Sequence, residues 1–270
     1  MKKINIISGL IIMAAMAGFF SCKRDMPLID KTASPAGTAR ICLIDVSPNL
    51  DSVLRTNYAD TFNVLFNGVK LNGYTAGTAA AMTYNAIYPF AGTTYGYASI
   101  PAGPQEIKFT KGLNTLDSVV LATFHKTLLA DQYYTFMITD SVNSNRDSSK
   151  IFVKDSLLPA TAGFFNMRFA HAVLNDTAGK GIDVWSTRNN KNIFTNIKPG
   201  TITGFSSFTY TANLNDTLFV RRAGTLSGLD TLSTVVFSNQ RSYTLVYKGN
   251  GNSNRNADAK RRHLITYVNQ

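Results

Sequence analysis

The fold is decided by stretches such as FNVLFNG, which occupies residues 62–68. Its first five residues form an apolar run with the length of a β-strand, and Asn67-Gly68 is a dipeptide preferred in two-residue hairpin turns. Comparable runs, rich in Val, Ile, Thr, Phe and Tyr, lie at residues 39–46, 95–100, 105–109, 119–124 and 133–138. Residues 101–104, Pro-Ala-Gly-Pro, are a second turn signal. Residues 75–86 are only mildly helical in pattern, and no long amphipathic helix is visible. The sequence therefore predicts an all-β protein.

Sequence elements recur in the same order about 110 residues apart, a spacing close to the size of one β-sandwich. The matched pairs are 63–65 with 183–185, 92–100 with 200–208, 116–120 with 229–231, 134–137 with 243–246, and 150–153 with 263–267. We therefore expect two tandem immunoglobulin-like β-sandwich domains, at residues 39–158 and 159–270. A signal peptide at residues 1–21 and a flexible, Pro-containing tether at residues 22–38 are expected to precede them.

The N-terminus has the pattern of an export signal. Lys2 and Lys3 precede an apolar run at residues 4–20, which ends before Ser21-Cys22. A small residue and a Cys after such a run resemble the lipobox of bacterial lipoproteins, and the resemblance implies that Cys22 becomes a lipid-modified N-terminus. The run is at the short limit for spanning a bilayer, so ordinary signal cleavage and a retained anchor are the alternatives. The expected location is the cell envelope, with the chain lipid-anchored to the outer membrane on either its periplasmic or its surface side.

The body of the chain resembles domain-of-unknown-function family 4397, whose domains occur in bacterial cell-envelope proteins, often in tandem and behind a lipobox. The residues that carry the resemblance are 46–49, 63–64, 67–68, 100–103 and 134–135 in the first copy, and 170–172, 182–184, 204–205 and 243–244 in the second. The second copy lacks the Pro-Ala-Gly turn. The resemblance implies β-sandwiches and an envelope location, and it assigns no catalytic residue. The lipobox and the Asn- and Thr-rich body are similar to lipoproteins of the Bacteroidetes group.

The positive charge does not indicate nucleic-acid binding. The chain has 27 Lys and Arg against 16 Asp and Glu, a formal charge of +11. Removal of Lys2 and Lys3 with the signal leaves 25 basic residues against 16 acidic ones, or +9. Apart from the short clusters Arg221-Arg222 and Lys260-Arg261-Arg262, the surplus is spread along both copies rather than gathered in the basic stripe that nucleic-acid binding requires. Attraction to anionic envelope polymers is the better electrostatic interpretation.

The sequence contains no recognisable catalytic motif. Its two Cys exclude a disulfide scaffold, and Cys42, within an apolar run, is expected to be a buried small residue. His125, His171 and His263 are scattered, and neither a zinc motif nor a nucleophile elbow is present. Residues 140–147 place oxygen ligands at calcium-loop intervals, but they lack the Gly and Glu of an EF-hand and read as a solvated turn. No metal site and no cofactor are expected.

Aromatic residues supply the candidate binding site. Tyr84, Tyr88, Tyr95 and Tyr97 lie close together in the sequence, and such rings could stack on sugars or anchor a protein, or simply fill a sandwich core. The single Trp, Trp185, is expected in the core.

The leading functional hypothesis is a non-enzymatic envelope lipoprotein, held at the membrane through Cys22, that serves adhesion, assembly or ligand binding. Its partner would be a polysaccharide or an envelope protein. A surface glycan-binding lipoprotein of a nutrient-uptake system is one alternative. An unrecognised envelope hydrolase is the other.

Overall fold

The computed structural model describes residues 36–48, 61–72, 74–75, 78–79, 81–91, 94–111, 119–157, 159–176, 181–253 and 260–269. These residues form an all-β fold built of two sandwich-like units, which confirms the fold class predicted from the sequence. Within the described ranges the only helical element is the single 3-10 turn at Asp147–Ser149. The mildly helical residues 75–86 contain the short strand Thr78–Ala79 and no helix in their described part.

Among the described residues, the first sandwich contains thirteen strands, several of them only two residues long. They are β1 Thr38–Asp45, β2 Phe62–Phe66, β3 Val69–Asn72, β4 Tyr74–Thr75, β5 Thr78–Ala79, β6 Ile87–Tyr88, β7 Phe90–Ala91, β8 Thr94–Tyr95, β9 Ala98–Pro101, β10 Gly103–Lys111, β11 Val120–Leu128, β12 Tyr133–Ile138 and β13 Lys150–Asp155. The second sandwich contains nine. They are β14 Phe164–His171, β15 Ile182–Ser186, β16 Lys191–Ile197, β17 Thr201–Ile202, β18 Ser206–Thr209, β19 Asp216–Arg222, β20 Gly228–Val235, β21 Ser242–Lys248 and β22 His263–Val268.

The two sandwiches have the same topology. In the first, one sheet has the order β13-β12-β1-β6 with β9 also paired to β1, and the other has the order β11-β10-β2-β3. In the second, the corresponding orders are β22-β21-β14-β17, with β18 also on β14, and β20-β19-β15-β16. β1 pairs in parallel with β12, as β14 does with β21. The matched pairs 63–65 with 183–185, 134–137 with 243–246 and 150–153 with 263–267 therefore fall on topologically equivalent strands.

Turn residues act as predicted at one connection and differently at another. Asn67 and Gly68 have φ values of 48° and 79°, which a two-residue hairpin turn between β2 and β3 requires. The Pro-Ala-Gly-Pro segment does not close a hairpin, because β9 pairs with β1 whereas β10 pairs with β2 and β11. Gly103, with φ of 102°, instead lets the chain cross from one sheet to the other within one residue of loop.

Each sandwich has its own apolar core. The first is centred on an aromatic cluster in which Phe136 lies 5.8 Å from Phe109 and 5.6 Å from Phe124, measured between ring centres. The second includes Phe169 and Phe194, whose ring centres are 5.6 Å apart. Alternation along the strands sends these rings inward, as a half-buried sheet requires.

A third apolar cluster joins the two sandwiches. It contains Cys42, Ile44 and Met137 from the first unit and Val246 and Tyr267 from the second, all buried. The sheets that meet here, called the inner sheets, are those containing β1 and β14, and the other two are called the outer sheets. All seven residues of β21 are buried, because both faces of this strand are covered. The two sandwiches consequently belong to one compact unit.

Burial also determines the protonation state of the Cys42 thiol. Its side chain is 1% exposed, and desolvation by burial raises the pKa of the thiol to about 12. The thiol is therefore protonated and unreactive at physiological pH, as expected for a small apolar residue.

A candidate binding pocket on the second outer sheet

The aromatic site predicted from the sequence does not form one exposed surface among the described residues. Tyr84 and Tyr88 are half-buried and pack against the first core. Tyr97 packs against the cluster between the sandwiches, and its hydroxyl donates a hydrogen bond of 2.8 Å to Asp155 Oδ2. The side chain of Tyr95 lies outside the described residues. The three described rings thus contact the interior and do not provide a flat platform for a sugar.

Two other features predicted from the sequence concern the membrane. Cys22 lies outside the described residues, so its lipid attachment stays a prediction. In the part of the chain that the structure describes, no helix is long and apolar enough to cross a bilayer.

The three histidines lie on different strands. His125 is exposed on β11 of the first outer sheet, and His171 is buried at the end of β14. His263 begins β22, where its Nδ1 lies 3.0 Å from Asp230 Oδ2. Within the described ranges, no group of three or more His, Cys, Asp and Glu side chains is arranged to hold a metal ion.

The oxygen-rich turn at residues 140–147 contacts the buried side chain of Lys150. Lys150 Nζ donates hydrogen bonds of 3.1 Å to the carbonyl of Ser141 and to Ser149 Oγ. Burial lowers the pKa of Lys150 to about 8. A lysine ammonium thus lies at this turn, where the negative charge of Asp140 acts on it.

The imidazole ring of His171 is buried. Neither ring nitrogen has a hydrogen-bond partner among the described residues, although its Nε2 lies 3.9 Å from Asp176 Oδ2. Asp176 is held by Arg222 through two hydrogen bonds of 2.6 Å each. Burial is the main reason why the pKa of His171 falls to about 4; the negative charge of Asp176 opposes the fall and the positive charge of Arg222 adds to it. The imidazole is therefore neutral in the folded protein at physiological pH.

Protonation of His171 is expected to make the protein less stable in mild acid. Between pH 6.5, its ordinary pKa, and about 4, the unfolded chain binds a proton that the folded chain does not, so stability falls as the pH falls. The loss across this window is on the order of 3 kcal/mol. His171→Phe removes the titrating group and keeps an aromatic ring, so we expect the stability of the variant relative to the unmodified protein to be higher at pH 4.5 than at pH 7.5. Urea denaturation at both values measures this, and a pH-independent difference would contradict it.

A pocket of about 340 Å³ lies on the second outer sheet. Its lining residues are Asp183, Trp185, Asn192, Arg221, Gly224, Thr225 and Leu226. Strand alternation creates it: Val184 points into the core, so Trp185 lies on the opposite face of β15. The prediction that Trp185 belongs to the core is therefore wrong, because its side chain is half-buried and faces outward.

Asp183 organises one side of the pocket. Its carboxylate accepts hydrogen bonds from the backbone N–H of Asn196 at 2.7 Å, from the backbone N–H of Gly224 at 3.0 Å and from Asn192 Nδ2 at 3.2 Å. These contacts connect β15 to β16 and to the turn between β19 and β20. The side chain is 5% exposed, so it positions the pocket walls.

Arg221 supplies the cationic side of the pocket. Its guanidinium carbon lies 4.8 Å from the ring centre of Trp185 and 5.4 Å from that of Phe219, distances at which a cation–π interaction is favourable. Among the described residues it forms no salt bridge, which leaves its N–H donors available to a ligand. Leu226, at the rim, is 85% exposed. The pocket thus combines an aromatic ring, an oriented cation and an exposed apolar side chain.

Only part of this pocket could have been predicted from the sequence. Val184 in a β pattern would have placed Trp185 on the outward face, since neighbouring residues of a strand alternate. Arg221 and Leu226 come from another hairpin, and no local pattern connects them to Trp185.

Comparisons with known proteins give no family. No protein-family model matches the chain, and no curated protein matches it. The resemblance to domain-of-unknown-function family 4397 therefore stays a prediction. Among solved structures, the chain is similar to a protein from Bacteroides thetaiotaomicron described as a candidate polysaccharide-binding protein of domain-of-unknown-function family 1812, with 8% identity and a TM-score of 0.21. The match covers 78% of this chain and 92% of that one. A similarity at this level does not identify a function.

Proposed function

We propose that the protein is a non-enzymatic, lipid-anchored lipoprotein of the cell envelope that binds a glycan through the pocket around Trp185. The observation that supports this most directly is the outward-facing Trp185 with Arg221 stacked on it. Aromatic rings offer the apolar faces of sugars a contact surface, and guanidinium N–H groups donate to hydroxyl or carboxylate oxygens.

The preorganised walls of the pocket favour binding. Asp183 has donors from three separate residues, so Asn192 and the Gly224 turn are held in place before a ligand arrives. A site whose polar groups are already positioned loses less entropy when it binds. Leu226 adds an exposed apolar rim that a ligand can cover.

The anchor is supported by the sequence alone. Acylation of Cys22 would bury tens of CH₂ groups, at about 0.8 kcal/mol each, which makes attachment effectively permanent. An outer-sheet pocket on a tethered protein remains accessible to polymers of the envelope, which agrees with the excess of basic residues.

The presence of a single Trp gives this proposal a direct test. Titration of the protein with a panel of neutral and acidic polysaccharides is expected to change the intrinsic fluorescence of Trp185. Trp185→Ala is expected to weaken binding at least about tenfold, since an aromatic contact of about 1.5 kcal/mol corresponds to that factor. Isothermal titration calorimetry measures this second effect, because the variant has no Trp.

A control variant distinguishes binding in the pocket from nonspecific binding to exposed apolar side chains. Leu129→Ala removes an apolar side chain that is 56% exposed in the first sandwich, and we expect it to bind as the unmodified protein does. Equal binding by Trp185→Ala would refute the site. Release of shorter glycans by the unmodified protein would instead favour the hydrolase alternative.

A further inference from the structure

A lysine of the second sandwich contacts an asparagine of the first. Lys248 is the last residue of β21 and is 4% exposed, and its Nζ donates a hydrogen bond to Asn85 Oδ1. Asn85 lies in the loop before β6, with φ of 72°. Its backbone N–H donates to the carbonyl of Asp45 at 2.9 Å, which ties the loop to the end of β1. An amine and a side-chain amide are thus held together across the interface.

A buried carboxyl group interacts electrostatically with Lys248. Asp45 is 0% exposed, and its Oδ1 accepts a hydrogen bond of 2.9 Å from the backbone N–H of Ser47. Its Oδ2 has no hydrogen-bond partner among the described residues. A buried carboxyl oxygen without a partner is costly when ionised and serves better as a proton donor.

The environment favours the uncharged forms of both groups. Burial raises the pKa of Asp45 to about 8, and burial lowers the pKa of Lys248 to about 8, against the attraction of the Asp45 carboxylate. The ring centre of Tyr84 lies 4.7 Å from Lys248 Nζ and covers it. Lys150 and Lys260 add positive charge that weakens the tendency of Asp45 to stay protonated. At pH 7 an amine with a pKa of about 8 is neutral in roughly a tenth of the molecules, whereas a carboxyl group with a pKa of about 8 is protonated in most of them, so the reactive combination is a minority state that is continuously replenished.

We propose that Lys248 and Asn85 form an intramolecular amide crosslink between the two sandwiches, with Asp45 as the proton-transfer group. No cofactor, oxidant or other enzyme is required.

The reaction is balanced by the loss of ammonia. The neutral Lys248 Nζ attacks Asn85 Cγ while the Asp45 carboxyl group donates a proton to the carbonyl oxygen. Asp45 then accepts a proton from the attacking nitrogen and delivers it to the amide nitrogen, which leaves as ammonia, and the proton on the oxygen returns to Asp45 as the carbonyl re-forms. One C–N bond forms and one C–N bond breaks. Asn85 is exposed on its outer side, so the ammonia escapes to solvent.

Peptide mapping of the full chain tests the crosslink. Trypsin should yield residues 71–108 joined to residues 242–255, uncleaved after Lys248 and lighter than the two peptides together by one ammonia. Asn85→Gly, which accepts the positive φ, and Lys248→Met should both abolish the joined species. Asp45→Asn should leave both reacting residues intact and reduce the crosslinked fraction to background.

A matched lysine provides the control. Lys150 is 6% exposed with a similarly lowered pKa, but its Nζ contacts Ser141 and Ser149 and no side-chain amide. Lys150→Met should therefore retain the crosslink. Two separate peptides from the folded, unmodified protein would overturn the proposal. So would an ammonia loss that is confined to residues 71–108 and that fragmentation places at Asn85 rather than at Asn72, since it indicates cyclisation of Asn85 onto its own backbone.

Discussion

Replacement of Asp155 by Ala is expected to lower the free energy of unfolding by about 3–5 kcal/mol. Asp155 Oδ1 lies 2.5 Å from Arg168 Nη1, and the two side chains are 0% and 2% exposed. Arg168 lies in β14, whereas Asp155 ends β13, so the pair joins the two sandwiches. Without the carboxylate, a guanidinium stays buried and uncompensated, and this penalty exceeds the worth of the lost contact.

The contacts around Arg168 explain why its guanidinium is not expected to move into water when Asp155 is removed. Arg168 Nε donates to Thr244 Oγ1 at 2.8 Å and Nη2 donates to Thr135 Oγ1 at 3.1 Å. Thr135 Oγ1 in turn donates to Asp155 Oδ2 at 2.6 Å. The guanidinium also lies 4.5 Å from the ring centre of Phe205. Since these neighbours hold Arg168 in place, we expect its guanidinium to stay buried when Asp155 is removed.

Guanidinium denaturation of matched variants measures the effect. Asp155→Leu combined with Arg168→Met replaces both charges by apolar groups, and we expect this double variant to be much closer in stability to the unmodified protein than Asp155→Ala is. If Asp155→Ala lies within about 1 kcal/mol of the unmodified protein, the pair does not behave as a buried charge pair.

Cys22→Ala is expected to abolish lipid labelling completely and to leave a precursor that keeps residues 1–21. The reason is chemical, since the acyl groups require the Cys22 sulfur and the α-amine that cleavage frees. Metabolic labelling with a radioactive fatty acid, followed by intact-mass measurement, reads both effects. Cys42→Ala is the control and should label normally, because that thiol is buried.

The alternatives for the N-terminus predict other results. Ordinary signal cleavage gives a shortened, unlabelled chain from the natural sequence. A retained anchor gives an uncleaved chain that stays in the membrane without label. Either result would remove the lipoprotein proposal and leave the Trp185 pocket untouched.

Local patterns predicted the strands well. Residues 62–66 and 133–138 were predicted as strands with the bounds that β2 and β12 have. Short apolar runs between turn residues leave little freedom in where a strand begins and ends. The shared topology of the two copies was also visible as recurring elements, because equivalent strands meet equivalent neighbours.

Local sequence patterns could not predict the interface between the sandwiches or the pocket around Trp185. β21 is apolar along most of its length, which is typical of a strand covered on both faces, yet nothing local says that the cover is another sandwich. The tyrosines were considered for a surface site because rings serve both surfaces and cores. The residues around Trp185 come from β19 and from the turn that follows it. β19 lies beside β15 only once the chain has folded.

The two inner sheets meet through topologically equivalent strands, β1 and β12 in one copy and β14 and β21 in the other. This is how identical subunits meet in an isologous homodimer, with the same face used by each partner. Here both partners are contained in one polypeptide. Covalent connection makes their association intramolecular, with an effective concentration that does not fall when the protein is dilute. A single copy made alone would expose the face that contains Val246 and Tyr267 and would have to find its partner by diffusion.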